Sequence, residues 1–124
     1  MPTPISRADA IDRVKVLTDW DGYPSVAEAL VEAFVDDAAR PDADGNATTS
    51  DDWTPSYDLN AATASVWEAK AALVANRYDI DTDGQGLDRS QLLAHFRSMA
   101  AMYRNRIASK FRRAEYADMT NPAL

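Results

Sequence analysis

The sequence predicts an all-α fold: a small bundle of about four helices with a long final helix, a long polar loop and an extended C-terminal tail. Three observations carry this. Apolar residues recur at threes and fours in four separated segments, the pattern of helices that bury one face. Each segment opens at a Ser or Asp placed to cap its first turn. Between the second and third segments, residues 40–58 are rich in Asp, Thr, Pro and Gly and show no period.

The first helix covers residues 7–17. Ser6 is its natural cap, Asp9 follows three residues on, and Ile11, Val14 and Leu17 fall on one face. "TDWDGYP" then breaks the pattern at Gly22 and Pro24. The second helix opens at "PSVAEAL". Ser25 with Glu28 reads as a capping box, Val26, Ala29, Leu30, Ala33 and Phe34 as the inner face, and Pro41 sets the end near residue 39. The segment 40–58 is long for an unstructured loop in a small domain, which points to function or motion. Trp53 and Tyr57 are expected to pin part of it to the body.

The third helix spans residues 59–78, capped by Asp58, with Ala62, Val66, Ala69 and Leu73 as a narrow apolar stripe. Its many alanines let a neighbouring helix approach closely. The last helix opens at Asp88, with Gln91 completing a capping box, and continues to about residue 113. Leu92, Phe96, Met99, Tyr103 and Ile107 form its inner face, and its basic end overhangs the core of the other three. Residues 114–124 have no period, so they are expected to order on a partner.

Composition narrows the function. The chain is 46% apolar and 9% aromatic over 124 residues, enough for one folded domain with a modest core. It has no cysteine, which excludes disulfides, thiol catalysis and thiolate metal sites. No apolar run approaches the roughly 18 residues of a membrane span, and "MPTPISRADAIDRVK" has no apolar core for a signal peptide. A cytoplasmic place of synthesis is the expectation. Net charge is −7, unevenly spread: residues 1–60 carry thirteen acids against four bases, residues 61–124 seven against nine. Arg104, Arg106, Lys110, Arg112 and Arg113 form a strip without an intervening acid, as on a solvated helix face or a contact for a charged partner.

"DIDTDGQG" resembles a calcium loop, because Asp79, Asp81 and Asp83 alternate ahead of Gly84. The twelfth position, which an EF-hand fills with a bidentate Glu, is Ser90. These three aspartates are therefore weak metal candidates. A short hairpin-like excursion over residues 79–87, permitted by Gly84 and Gly86, accounts for the stretch without an ion. The single histidine, His95, lies beside apolar Leu92, Phe96 and Met99 and has no second His or Cys to work with. No catalytic constellation or phosphate loop is present in the sequence, and the expectation is a protein that is not an enzyme and takes no cofactor. The basic strip suits phosphate contacts, but an acidic domain opposes non-specific DNA affinity.

The segments "LTDWDGYP", "AARPDADGNA", "DWTPSYDLNAATASVWEAKAALVANRYDI" and "DGQGLDRSQLLAHFRSMAAMYRNR", in this order and spacing, resemble the small head-to-tail adaptor proteins of long-tailed bacteriophages, particularly those of actinobacterial hosts. The likeness runs from about residue 17 to 106. In that family an alanine-rich helix ending in Tyr-Asp precedes an Asp-Gly turn and a Ser-Gln that starts a long helix; here these are residues 61–78, Asp79, Asp83-Gly84 and Ser90-Gln91. Where similar proteins tend to have a Ser-aromatic pair after the turn, this chain has Gly86-Leu87.

The resemblance implies a structural subunit of the virion neck, assembled in the host cytoplasm. Such subunits form a homo-oligomeric ring of about a dozen copies beneath the portal protein, extend the DNA channel and dock the stopper protein. DNA passes without specific binding, and no membrane is involved. It divides the chain into an adaptor domain, residues 1–113, and a tail, residues 114–124. By position, portal binding falls to Arg106, Lys110, Arg112, Arg113, Tyr116, Met119, Pro122 and Leu124. Asp42, Asp44, Asp51 and Asp52 in the long loop become candidates for the channel wall or the stopper contact. The alternative from the residues alone is a small calcium-binding or nucleic-acid-binding helical module.

Overall fold

In the computed structural model, residues 2–80 and 86–119 are described, with side chains for 2–76 and 90–107. Helix α1 spans Arg7–Leu17, as its cap and spacing predict. The Ser6 hydroxyl accepts a hydrogen bond from the Asp9 N–H at 3.1 Å, which satisfies one of the free donors of the first turn. Ala10, Ile11 and Val14 are buried. Thr18, in extended conformation, stops the helix and donates its hydroxyl to the Val14 carbonyl at 2.8 Å.

Helix α2 spans Glu28–Asp37, with Ala27 as a cap that makes no side-chain hydrogen bond, so the predicted Ser25–Glu28 capping box does not form. Residues 25 and 26 belong to the preceding loop instead. The Val26 N–H donates to the Trp20 carbonyl at 2.6 Å, and the Val26 side chain drops into the core. Glu28 turns to Lys15, whose Nζ stands 3.1 Å from its Oε1. The inner face is also not the predicted one. Val31 and Val35 are buried, with Ala38 below them and Phe34 at the flank, while Ala29, Leu30 and Ala33 are exposed. The face turned inward thus carries the two β-branched valines, and the face turned outward two alanines and Leu30.

A two-residue ribbon, which the sequence reading did not anticipate, closes the base. Strand β1, Thr3–Pro4, pairs antiparallel with β2, Ser56–Tyr57, and Ala39 bridges to Tyr57 from the other side. Two-residue strands have no room for an alternating pattern, so nothing in the sequence announces them.

Helix α3, Leu59–Ile80, is central. The Asp58 carboxylate caps it, accepting from the Ala61 N–H at 3.1 Å. One face, with Ala61, Ala62 and Val66, packs on α1 and α2 and the residues around them. A second face, with Ala64, Trp67, Ala71 and Val74, packs on Phe96, Ala100 and Tyr103 of helix α4. The predicted stripe of Ala62, Val66, Ala69 and Leu73 is thus one of two, which is why the helix as a whole shows so little periodicity.

Helix α4 spans Gly86–Met119. Because it opens at Gly86, Asp88 is its third residue and cannot be its cap. Asp79 and Ile80 end α3 while Gly86 and Leu87 begin α4, so these four are helical and not part of the expected excursion over residues 79–87; residues 81–85 lie outside the described residues. At the other end the helix passes the predicted stop at 113. No Gly or Pro occurs from 87 to 121, and Ala114, Glu115 and Ala117 are helix formers or neutral, so no residue there breaks it. The bundle is all-α but for the small ribbon. Among the described residues no helix is long and apolar enough to cross a membrane.

Candidate functional site

The long loop is built around one aspartate. Asp42 is only 7% exposed, and its carboxylate accepts from the N–H groups of Thr54 and Asn46 at 2.8 Å each and of Asp44 at 3.0 Å. The Asn46 amide donates to it as well, at 3.1 Å, and to the Asp52 carbonyl at 3.3 Å, so both ends of the loop meet on the same carboxylate. The Thr54 N–H above all, helped by Asn46 and Asp44, holds the Asp42 carboxyl below the usual carboxylate range against the opposing effect of burial. Gly45, at φ 84°, supplies the left-handed residue that the turn requires. Trp53 then anchors the loop to the body. Its indole N–H donates to the Arg40 carbonyl at 2.8 Å, and its ring meets Tyr57 edge-on at 5.9 Å, as expected for these two aromatics.

This geometry separates the four loop aspartates. Asp42 points inward with its oxygens engaged, which leaves it nothing to offer a channel or a stopper. Asp44, Asp51 and Asp52 are exposed on the outside of the knot.

Lys70 is the residue that sequence reasoning missed. It is fully buried, with 0% of its surface exposed, in the middle of α3. Its ammonium donates to three carbonyls of the "TDWDGYP" segment: Asp19, Gly22 at 2.9 Å and Pro24 at 3.0 Å. Phe96 of α4 lies 5.2 Å from the same nitrogen. Burial pushes the lysine below its ordinary value, while Asp19 and Asp21 pull it back up. The signal was present as a lone cation in "WEAKAALV", but a lysine among alanines reads as solvent-facing until the loop that covers it is known. In that loop a Cβ at Gly22 would lie 2.2 Å from an Asp19 carboxylate oxygen, so a larger residue there requires the exposed Asp19 side chain to swing aside.

Between α3 and α4 runs a groove of about 440 Å³ with an alanine floor: Ala71, Ala72 and Ala75 from α3, Ala100 and Ala101 from α4. Arg97 and Arg104 flank it. Arg104 is paired, its guanidinium 2.6 Å from Glu68 and 3.2 Å from the Ser65 hydroxyl. No acid among the described residues pairs with Arg97.

Of the portal-binding candidates, Arg106 is exposed on α4, its guanidinium 4.8 Å from the Tyr103 ring. The side chains of Lys110, Arg112, Arg113, Tyr116 and Met119 lie outside the described set, although their backbone belongs to α4; Pro122 and Leu124 lie outside the described residues. The same holds for the weak metal candidates: Asp79 has only its backbone described, at the end of α3, and Asp81 and Asp83 are outside. Among the described residues no cluster of three or more His, Cys or carboxylate side chains is placed to hold a metal. His95 is exposed, its ring edge-on to Trp67 at 5.9 Å. Comparison of the chain with protein-family models, curated proteins and solved structures returns no match.

Proposed function

We propose that the chain is a head-to-tail adaptor subunit of a phage neck, a structural protein that forms a ring under the portal, extends the DNA channel and docks the stopper. The observation that carries this is the order of the four resembling segments, set on a helical body whose last helix outruns its partner. α4 has 34 residues and α3 has 22, so twelve residues of α4, about 18 Å of helix, have no counterpart on α3. Those extra turns include Lys110, Arg112 and Arg113 of the basic strip, while the body around α1, α2 and the long loop is acidic. A subunit with one sign of charge on its body and the other on a helical arm suits contact with two different neighbours. In this reading the end of α4 and the residues after it clasp the portal, and exposed Asp44, Asp51 and Asp52 face the channel or the stopper.

The test is electron microscopy of this protein mixed with the portal encoded in the same genome, using the full chain and a chain ending at Arg113. The full chain is expected to add a ring to the portal and the truncated chain to lose it. A ring that survives truncation moves the clasp to the helical body. A full chain that never adds a ring overturns the proposal.

A further inference from the structure

Two surfaces of this chain complement each other, and they lie on different helices. The first is the outer face of α2. Ala29, Leu30 and Ala33 point to solvent there, Leu30 with 40% of its surface exposed, and Asp37 continues the same stripe one turn on. Four of the ten residues of α2 therefore form an apolar face ending in a carboxylate, on the side away from the core. The second surface is the alanine-floored groove between α3 and α4. Small side chains on both its walls let a third helix approach closely, and Leu30 is the one bulky residue on the α2 face that would fill it.

Charge fixes the direction of docking. At one end of the groove Arg104 is already neutralised by Glu68; at the other, Arg97 has no acid among the described residues. On α2 the other acids have partners or turn aside. Glu28 pairs with Lys15, Asp36 pairs with Arg7 at 2.7 Å, and Glu32 sits on the flank. Arg40, the nearest cation to Asp37 in sequence, turns one guanidinium nitrogen to the carbonyls of Asp37 and Ala39 and forms no ion pair with the Asp37 carboxylate. The Asp37 carboxylate makes no ion pair with any described residue.

From this we infer that α2 of one copy of the chain lies in the α3/α4 groove of the next, antiparallel to α4, with Asp37 against Arg97 and Ala33 over Ala101. The contact joins different surfaces on the two copies, so it propagates head to tail and closes into a ring where the rotation allows. The inference deepens the ring proposed above and rests on it for closure. One helix in one groove is a smaller contact than the roughly 1,000 Å² of a stable interface, so a free pair is weak and closure supplies the strength through multivalency.

The absence of native cysteine makes the contact trappable. Chains carrying Ala33→Cys and chains carrying Ala101→Cys are mixed in equal amounts, oxidised and resolved on a non-reducing gel, each also being oxidised alone. Both positions are exposed, and circular dichroism checks that the fold is kept. The mixed disulfide dimer is expected in several-fold excess over either homodimer. Asp37→Arg in the first chain is expected to remove that excess, and Arg97→Asp in the second to restore it. A mixed product no more abundant than the homodimers overturns the inference, as does an excess indifferent to charge reversal. The experiment uses this chain alone, so it separates the two claims. Portal-bound rings without the mixed dimer sink the interface and leave the adaptor; the mixed dimer without portal-bound rings does the reverse.

Discussion

Two buried polar residues hold the parts of this molecule that have no regular structure. Lys70 organises residues 19–24 by giving three backbone carbonyls a common donor, and the fold has no substitute for it there. Lys70→Met keeps the volume but takes the ammonium donor from all three carbonyls, leaving Asp19 only the Gly22 N–H, and a loss of about 3 kcal/mol is expected, with a Tm lower by roughly 10 °C. Lys70→Arg is not a remedy, because a planar guanidinium cannot aim its donors at three converging carbonyls in the space of an ammonium. An unchanged Tm for Lys70→Met in a thermal melt would show that the loop is held by something else. Asp42 does the same for residues 42–54, and its behaviour with pH follows from its hydrogen bonds. Its native pKa lies below that of the unfolded chain, so on acidification the unfolded state takes up the proton first. The stabilisation is complete above the unfolded value of about 3.9 and is lost as pH falls through the native value. Asp42→Asn, which accepts fewer hydrogen bonds, is expected to lower Tm at pH 7 and to flatten the acid limb of a Tm-against-pH curve. A variant with the same acid limb as the wild type would remove Asp42 from that role.

At the scale of the helices, caps that make a hydrogen bond should be distinguishable from caps that only look right in the sequence. Ser6→Ala and Asp58→Ala each remove a side-chain acceptor from a first-turn N–H, and each is expected to destabilise by about 1 kcal/mol in urea unfolding. Ser25→Ala, at an equally persuasive motif, is expected to change stability by less than about 0.5 kcal/mol, since α2 does not start there. Equal losses at all three positions would contradict the observed start of α2. The contrast also shows how much of the fold was legible beforehand. α1, the α3 cap and the inner face of α4 follow from local rules that act within one turn, and these were readable. The start and rotation of α2 were not, because they depend on where the loop carrying Val26 and Pro24 must go, and that loop is positioned by Lys70 some 46 residues away. For the candidate site, the loop and its Trp53 and Tyr57 anchors were visible as composition. The inward turn of Asp42 was not, since an aspartate that folds a loop and one that faces a channel look alike in sequence.

For the whole molecule, the question is what its acidic exterior does. Asp44, Asp51 and Asp52 are exposed, share one loop and stand on a rigid knot, so changing them alters charge without disturbing packing. Replacing all three by lysine raises the net charge by six, from −7 to −1, and concentrates the change on one surface. If that surface lines the channel, a ring of substituted subunits presents a basic collar to DNA, and counterion release makes it retain DNA at low salt with an affinity that falls steeply as salt rises. Wild-type rings on the same portal are expected to retain none, because a wall of like charge repels the duplex over roughly a Debye length. The readout is DNA retained on purified portal–adaptor complexes between about 50 and 200 mM salt. Retention by the substituted rings alone places these aspartates on the channel wall. Equal retention by both rings would mean that this loop faces away from the DNA, and loss of stopper docking by the substituted rings would then assign the loop to that contact. Asp42 alone of the four spends its carboxylate on folding the loop, so the other three can be exchanged while the knot that carries them stays intact.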